Sequence, residues 1–164
     1  GPHTWEEAAT RFAETVAPLR EHAREHGVTV AIEPTNPLRA DISFVFSLRD
    51  AVRVAREADV GVVLELQACW LEPGFAATVA EAGDRVSLVQ VSDFVVGTTD
   101  TPNRAVPGDG DVPLERLVGT ILDAGYLGPF DLEILGPRVE AEGYPSVIER
   151  SVDRLSDLLD RLGA

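Results

Sequence analysis

The hydrophobic positions of this chain switch between two periods along its length. Trp5, Ala8, Ala9, Phe12, Val16 and Leu19 recur at helical spacing, while Val28, Val30 and Ile32 alternate with Thr29, Ala31 and Glu33. Thr4-Trp5-Glu6-Glu7 has the spacing of a capping box, and Gly27 closes the first helical run. Pro18 lies inside that run and removes a backbone donor, so a kink or a split into two helices is expected there. Ser47 is placed to cap a second helix carrying Leu48, Ala51, Val52, Val54 and Ala55 and ending near Asp59. A third helix is expected from Glu72-Pro73 to about Gly83, and a fourth from Pro113 to Gly125. The last helix is expected over about Pro145 to Leu162, with apolar Val147, Ile148, Val152, Leu155, Leu158 and Leu159. Strands are expected over Val28–Glu33, Val62–Glu65, Val86–Asp93 and Phe130–Ile134.

Strand and helix alternating at about 30 residues imply a parallel sheet with right-handed crossovers. An open doubly wound sheet should be apolar on both faces. Here Val28, Val30 and Ile32 share one face, while Thr29, Ala31 and Glu33, and later Asp131 and Glu133, place polar groups on the other. That pattern suits part of a (β/α)8 barrel, whose outer face meets helices and whose interior opens onto a site at the C-terminal rim. The expected architecture is α/β: a parallel (β/α) repeat corresponding to the C-terminal half of a TIM barrel. It has about four strands and five or six helices in one domain over residues 1–164.

Composition narrows the partners. With 28 acidic against 14 basic residues, the formal net charge is −14, which repels phosphodiester backbones; nucleic acid is excluded as a partner. No apolar run reaches the roughly 20 residues that cross a bilayer, and no signal-peptide pattern opens the chain, so a cytoplasmic location is expected. Gly1-Pro2 fits the remnant of a cleaved tag. The single cysteine, Cys69, excludes an internal disulfide and a cysteine-based zinc site, and no histidine lies near it to activate a thiolate. Gly108-Asp109-Gly110-Asp111 lacks the spaced ligands of a calcium loop and reads as a turn before the Pro113 helix.

The chemistry is expected where strands end in carboxylates or amides. Glu33, Glu65, Gln90, Asp93 and Glu133 occupy or adjoin four such ends, and a buried strand has no structural use for an unpaired charge. Ala31-Ile32-Glu33-Pro34-Thr35-Asn36, Leu64-Glu65-Leu66-Gln67, Gln90-Val91-Ser92-Asp93, Val106-Pro107-Gly108-Asp109-Gly110 and Asp131-Leu132-Glu133 resemble the xylose-isomerase-like barrel superfamily. The match covers nearly the whole chain but only the C-terminal half of the family's domain.

The resemblance implies a divalent metal held by groups from the last four strands, typically glutamate, aspartate, histidine and glutamate. By position these fall on Glu33, Glu65, Gln90 and Glu133. Gln90 stands where the family has histidine, and none of His3, His22 and His26 lies near a strand end to replace it. Three carboxylates and an amide oxygen form a hard donor set that suits Mg2+ or Mn2+. The resemblance also implies that Glu33 and Glu133 act as the catalytic acid and base. Arg138, Gln67, Trp70 and Asp93 are candidate substrate contacts, with Phe94 a further candidate for the pocket wall.

The competing expectation is a metal-free site whose carboxylates pair with Arg39, Arg104 or Arg138. The implied function is a metal-assisted isomerase or epimerase of a small sugar or hydroxy-carbonyl compound. Its alternatives are a binding or assembly half-barrel, and a metal-free dehydratase or cyclase. Four strands cannot close a barrel, so a second copy or a separate chain is expected to complete it.

Overall fold

The computed structural model describes residues 4–164; the tag-remnant reading and His3 fall outside the described residues. Four parallel strands lie in chain order: β1 (Ala31–Ile32), β2 (Gly61–Glu65), β3 (Val86–Val91) and β4 (Phe130–Leu132). The helices are α1 (Trp5–Glu25), α2 (Leu48–Ala58), α3 (Leu66–Cys69), α4 (Phe75–Ala82), α5 (Leu114–Asp123), α6 (Pro137–Glu142) and α7 (Tyr144–Leu162). Two of these seven, α3 and α6, are short and follow strand ends where no helix was expected.

Local signals explain most boundaries. The Thr4 hydroxyl accepts from the Glu7 amide, while the Glu7 carboxylate accepts from the Thr4 amide, which fixes the start of α1. Ser47 accepts from the Asp50 amide and starts α2, and left-handed Asp59 ends it. The expected break at Pro18 does not occur. α1 runs through it as one helix, since Pro18 lies on the solvent side, where water can reach the carbonyl left without a partner.

The strands are shorter than expected at both sheet edges. β1 pairs only with β2 and β4 only with β3, so Val28–Val30 and Glu33 fall outside β1 and Glu133 and Ile134 outside β4. Val28, expected on the apolar face, is exposed at the β1 edge, and Ile148 and Val152 of α7 are exposed too.

The two sheet faces differ as anticipated. Val62, Leu64, Val89 and Val91 are fully buried against the helices, joined there by Leu48, Val52, Leu117 and Ile121. Truncating one of these leucines to alanine costs about 2–5 kcal/mol. The opposite face carries Val63 beside Leu88, then Glu65, Gln90 and Asp131 in one row. Val63 and Leu88 are only half-buried there, since no further strands cover this concave side. Among the described residues, no helix is long and apolar enough to cross a membrane.

Candidate active site

β2 ends in Glu65, and that residue simultaneously begins α3. Its carboxylate accepts the backbone N–H groups of Gln67 (2.9 Å) and Ala68 (2.6 Å), and it is only 3% exposed. The next strand end leads into a long excursion that returns at Ala105, whose amide and carbonyl exchange hydrogen bonds with Asp93 (2.8 and 3.0 Å). This return brings Arg104 over the sheet, tied by its amide to the Leu135 carbonyl at 3.0 Å. Gly136 permits the close approach: a Cβ there would lie 2.8 Å from Asn103 Cα, and its φ of 116° disfavours any side chain.

Arg104 is the hub of the site. Its Nη1 donates to Glu65 Oε1 (2.7 Å) and Ser92 Oγ (2.8 Å), and its Nη2 lies 2.8 Å from Glu133 Oε2. The contact with Glu133 is an ion pair out of alignment for a hydrogen bond, which leaves that buried oxygen without a hydrogen-bond partner. Glu33, Glu65 and Glu133 line one cleft of about 330 Å3 with Arg104, Gln67 and Trp70; Phe94 completes part of the wall. Gln90 stands beside Glu65 in register, its Oε1 buried and unpartnered. Arg39 also lines the cleft but pairs with Asp41 at 3.0 Å.

The crowding of acids shows in their protonation. Burial, reinforced by the charges of Glu133 and Glu65, pushes the Glu33 carboxyl up to about 7 against the pull of Arg104. Burial also raises Glu133 above the usual carboxylate range, opposed by Arg104 and helped by Glu65 and Asp131. Burial raises the Cys69 thiol as well, which leaves it inert as a nucleophile.

Two expected substrate contacts lie elsewhere. Asp93 is 0% exposed and accepts the amides of Phe94 (2.8 Å), Gly108 (2.8 Å), Gly110 (3.0 Å) and Val112 (3.0 Å). These four amides engage its carboxylate in shaping the Pro-Gly turn, and it does not line the cleft of Glu33 and Glu133. Arg138 is exposed at the start of α6 and faces a separate small hollow, with its amide donating to Asn103 Oδ1 at 3.3 Å.

The donors at this rim are chemically of the kind that a hard divalent ion takes. Gln90 Oε1 and Glu133 Oε2 are buried acceptors without a hydrogen-bond partner, and the donor set is all oxygen. Glu65 is the weakest donor, since two amides and Arg104 already occupy three of its roughly four lone-pair positions. Among the described residues, the cluster whose ligand atoms lie within 4.8 Å of one another is His22, Glu25 and His26, exposed on α1. The three glutamates of the cleft are more widely spread than that.

A parallel strand–helix repeat with carboxylates gathered at the C-terminal rim defines part of a (β/α) barrel with a rim site. The profile of the family described as "Xylose isomerase-like TIM barrel" matches residues 1–158, and the chain belongs to that family. It is similar to the crystal structure of protein SMc04130 from Sinorhizobium meliloti 1021. The two are 28% identical with a TM-score of 0.83, covering 96% of this chain and 60% of that one. D-psicose 3-epimerase from Clostridium cellulolyticum H10, solved with D-tagatose, shares 18% identity and a TM-score of 0.75, over 99% of this chain and 59% of its own. An L-ribulose 3-epimerase shares 12% identity and a TM-score of 0.72, over 95% and 55%. The chain thus spans about 60% of the length of these structures. No curated protein matches the sequence.

Proposed function

We propose that this chain carries the active-site half of an isomerase or epimerase that moves a proton on a small sugar or related hydroxy-carbonyl compound. The observation that supports it best is the placing of Glu33 and Glu133 in one cleft, electrostatically coupled and both shifted upward. A carboxyl near 7 is present in both protonation states at neutral pH, which suits a group that must take and return a proton. One glutamate removes the proton from the carbon beside the carbonyl, the electron pair moves onto the carbonyl oxygen, and the other glutamate returns a proton to the opposite face. Trp70 and Gln67 offer a flat apolar wall and an amide to orient the substrate.

Glu33, Gln90 and Glu133, with the remaining lone pair of Glu65, would hold a Mg2+ or Mn2+ ion. Bound there, such an ion supplies Lewis-acid polarisation of the substrate carbonyl. A second reading, metal-free dehydration or cyclisation on the same carboxylates, is favoured by Arg104 already providing a cation between Glu65 and Glu133.

Incubation with small ketoses in D2O, with Mn2+ or after EDTA, separates the two. Deuterium is expected to enter beside the carbonyl only with the metal, and Glu133→Gln should slow it by about 10^2–10^4-fold. If the wild-type protein exchanges no carbon-bound proton of any ketose with Mn2+ present, the proposal fails.

Completion of the barrel by a second copy or another chain belongs to the same proposal, supported by the one-sided pairing of β1 and β4. A stable monomer in sedimentation at micromolar concentration would count against self-association.

A further inference from the structure

We infer that Arg104 is the resident cation of this site, holding Glu65 and Glu133 together without a divalent ion and competing with that ion for Glu133. The inference rests on the proposed role of Glu33, Gln90 and Glu133 in holding a metal.

The two arms of Arg104 are unequal. Nη1 is hydrogen-bonded to Glu65 Oε1 and to the fully buried Ser92 Oγ, and Glu65 is itself fixed by two backbone amides. Nη2 meets Glu133 only as a misaligned ion pair, and Glu133 Oε2 has no other partner. Glu133 is therefore the group that can change partners while Arg104 stays anchored to Glu65.

Arg104 also leaves the site incompletely satisfied. Its own Nε is buried without an acceptor, while Gln90 Oε1 is buried without a donor, so the two leftovers do not meet. Gln90 Oε1 and Glu133 Oε2 are thus two buried acceptors that the guanidinium leaves without a hydrogen bond, and a small cation is a partner of the kind such oxygens take. Competition follows from geometry, because a guanidinium 2.8 Å from Glu133 repels any cation bound to the same oxygen.

Calorimetric titration with Mn2+ at pH 8, on wild type, Arg104→Gln and Arg104→Lys, tests this. All three carry His22→Ala, which removes the exposed His22–Glu25–His26 cluster as a source of background uptake. Arg104→Gln is expected to bind Mn2+ at least about tenfold more tightly, with Arg104→Lys in between. Mn2+ should also raise the melting temperature of Arg104→Gln more than that of wild type. Equal or weaker binding in both variants would make Arg104 a support of the site and overturn the inference while leaving the metal reading intact. Absence of Mn2+ uptake in every protein would overturn the metal reading and this inference with it. If Arg104→Gln fails to fold by circular dichroism, the comparison of Arg104→Lys with wild type decides.

Discussion

The two ends of the sheet use the same residue types to opposite effect. At the N-terminal end, Asp59 lies 2.8 Å from Arg24 and 3.3 Å from Arg85, with Asp59 and Arg24 open to water and Arg85 partly so. The hydrogen bond from Arg24, then that from Arg85, holds the Asp59 carboxyl below its usual range. At the C-terminal end, Arg104 pairs with two of the three glutamates that line one cleft, Glu65 and Glu133, and Glu33 and Glu133 are pushed upward instead. The difference lies in cation count and burial, not in the chemistry of the pairs. Surplus arginine in solvent makes an acid a surface ornament; surplus acid out of solvent makes it reactive.

The largest effect should come from removing the arginine at the buried end. Arg104→Ala strands Glu65 and Glu133 without their shared partner and should cost the metal-free protein about 3–5 kcal/mol in urea unfolding. Arg24→Ala, at the other end, should leave stability almost unchanged. Comparable losses for the two variants would dissolve the contrast.

A smaller effect should appear in pH dependence. Glu33 titrates at about 7 in the folded protein against an ordinary 4.5. The folded state therefore holds this proton more tightly than the unfolded chain, and its contribution to stability is lost as pH rises from about 4.5 through 7. Glu33→Gln should flatten that slope in EDTA-containing buffer and exceed wild type above pH 7 by about 1–2 kcal/mol, allowing for solvent screening of a half-exposed group. Urea melts at several pH values check it; an unchanged slope in the variant would mean that burial in the cleft does not raise the Glu33 carboxyl.

Much of this contrast was legible in the chain. The alternation in the strands marked which face would be polar, and the strand-end carboxylates Glu33, Glu65 and Glu133 do gather at one rim. The hub was named only as one of three candidate partners of the carboxylates, with Arg39 and Arg138, and Arg104 is the one that pairs with Glu65 and Glu133. The choice was not legible because Arg104 reaches the site through a loop whose path depends on pairing between Ala105 and Asp93. One signal was present: Arg104 is the sole basic residue between Val86 and Pro113, directly before the Val106-Pro107-Gly108 turn. Asp93 lies outside that cleft for a physical reason, since a carboxylate after a strand can equally be engaged by backbone amides. The edge strands were over-extended because side-chain alternation reports the faces of a strand and says nothing of whether a neighbour is present to pair with it.

The smallest predicted effect isolates the exposed end. Asp59 adopts left-handed backbone at φ 54°, a conformation asparagine shares readily, so Asp59→Asn removes the charge without disturbing the cap of α2. The depressed Asp59 carboxyl contributes stability above its ordinary 3.8, and that contribution is lost as pH falls through the folded value. At pH 7 and low salt the variant should melt about 1–2 °C below wild type. The gap should close as pH falls through the lowered folded value, where the native aspartate takes up its proton too, and in high salt, where exposed pairs are screened. A persistent gap in high salt would mean that Asp59 acts from a screened, buried environment. The two ends of the sheet would then differ only in cation count, with burial removed from the explanation.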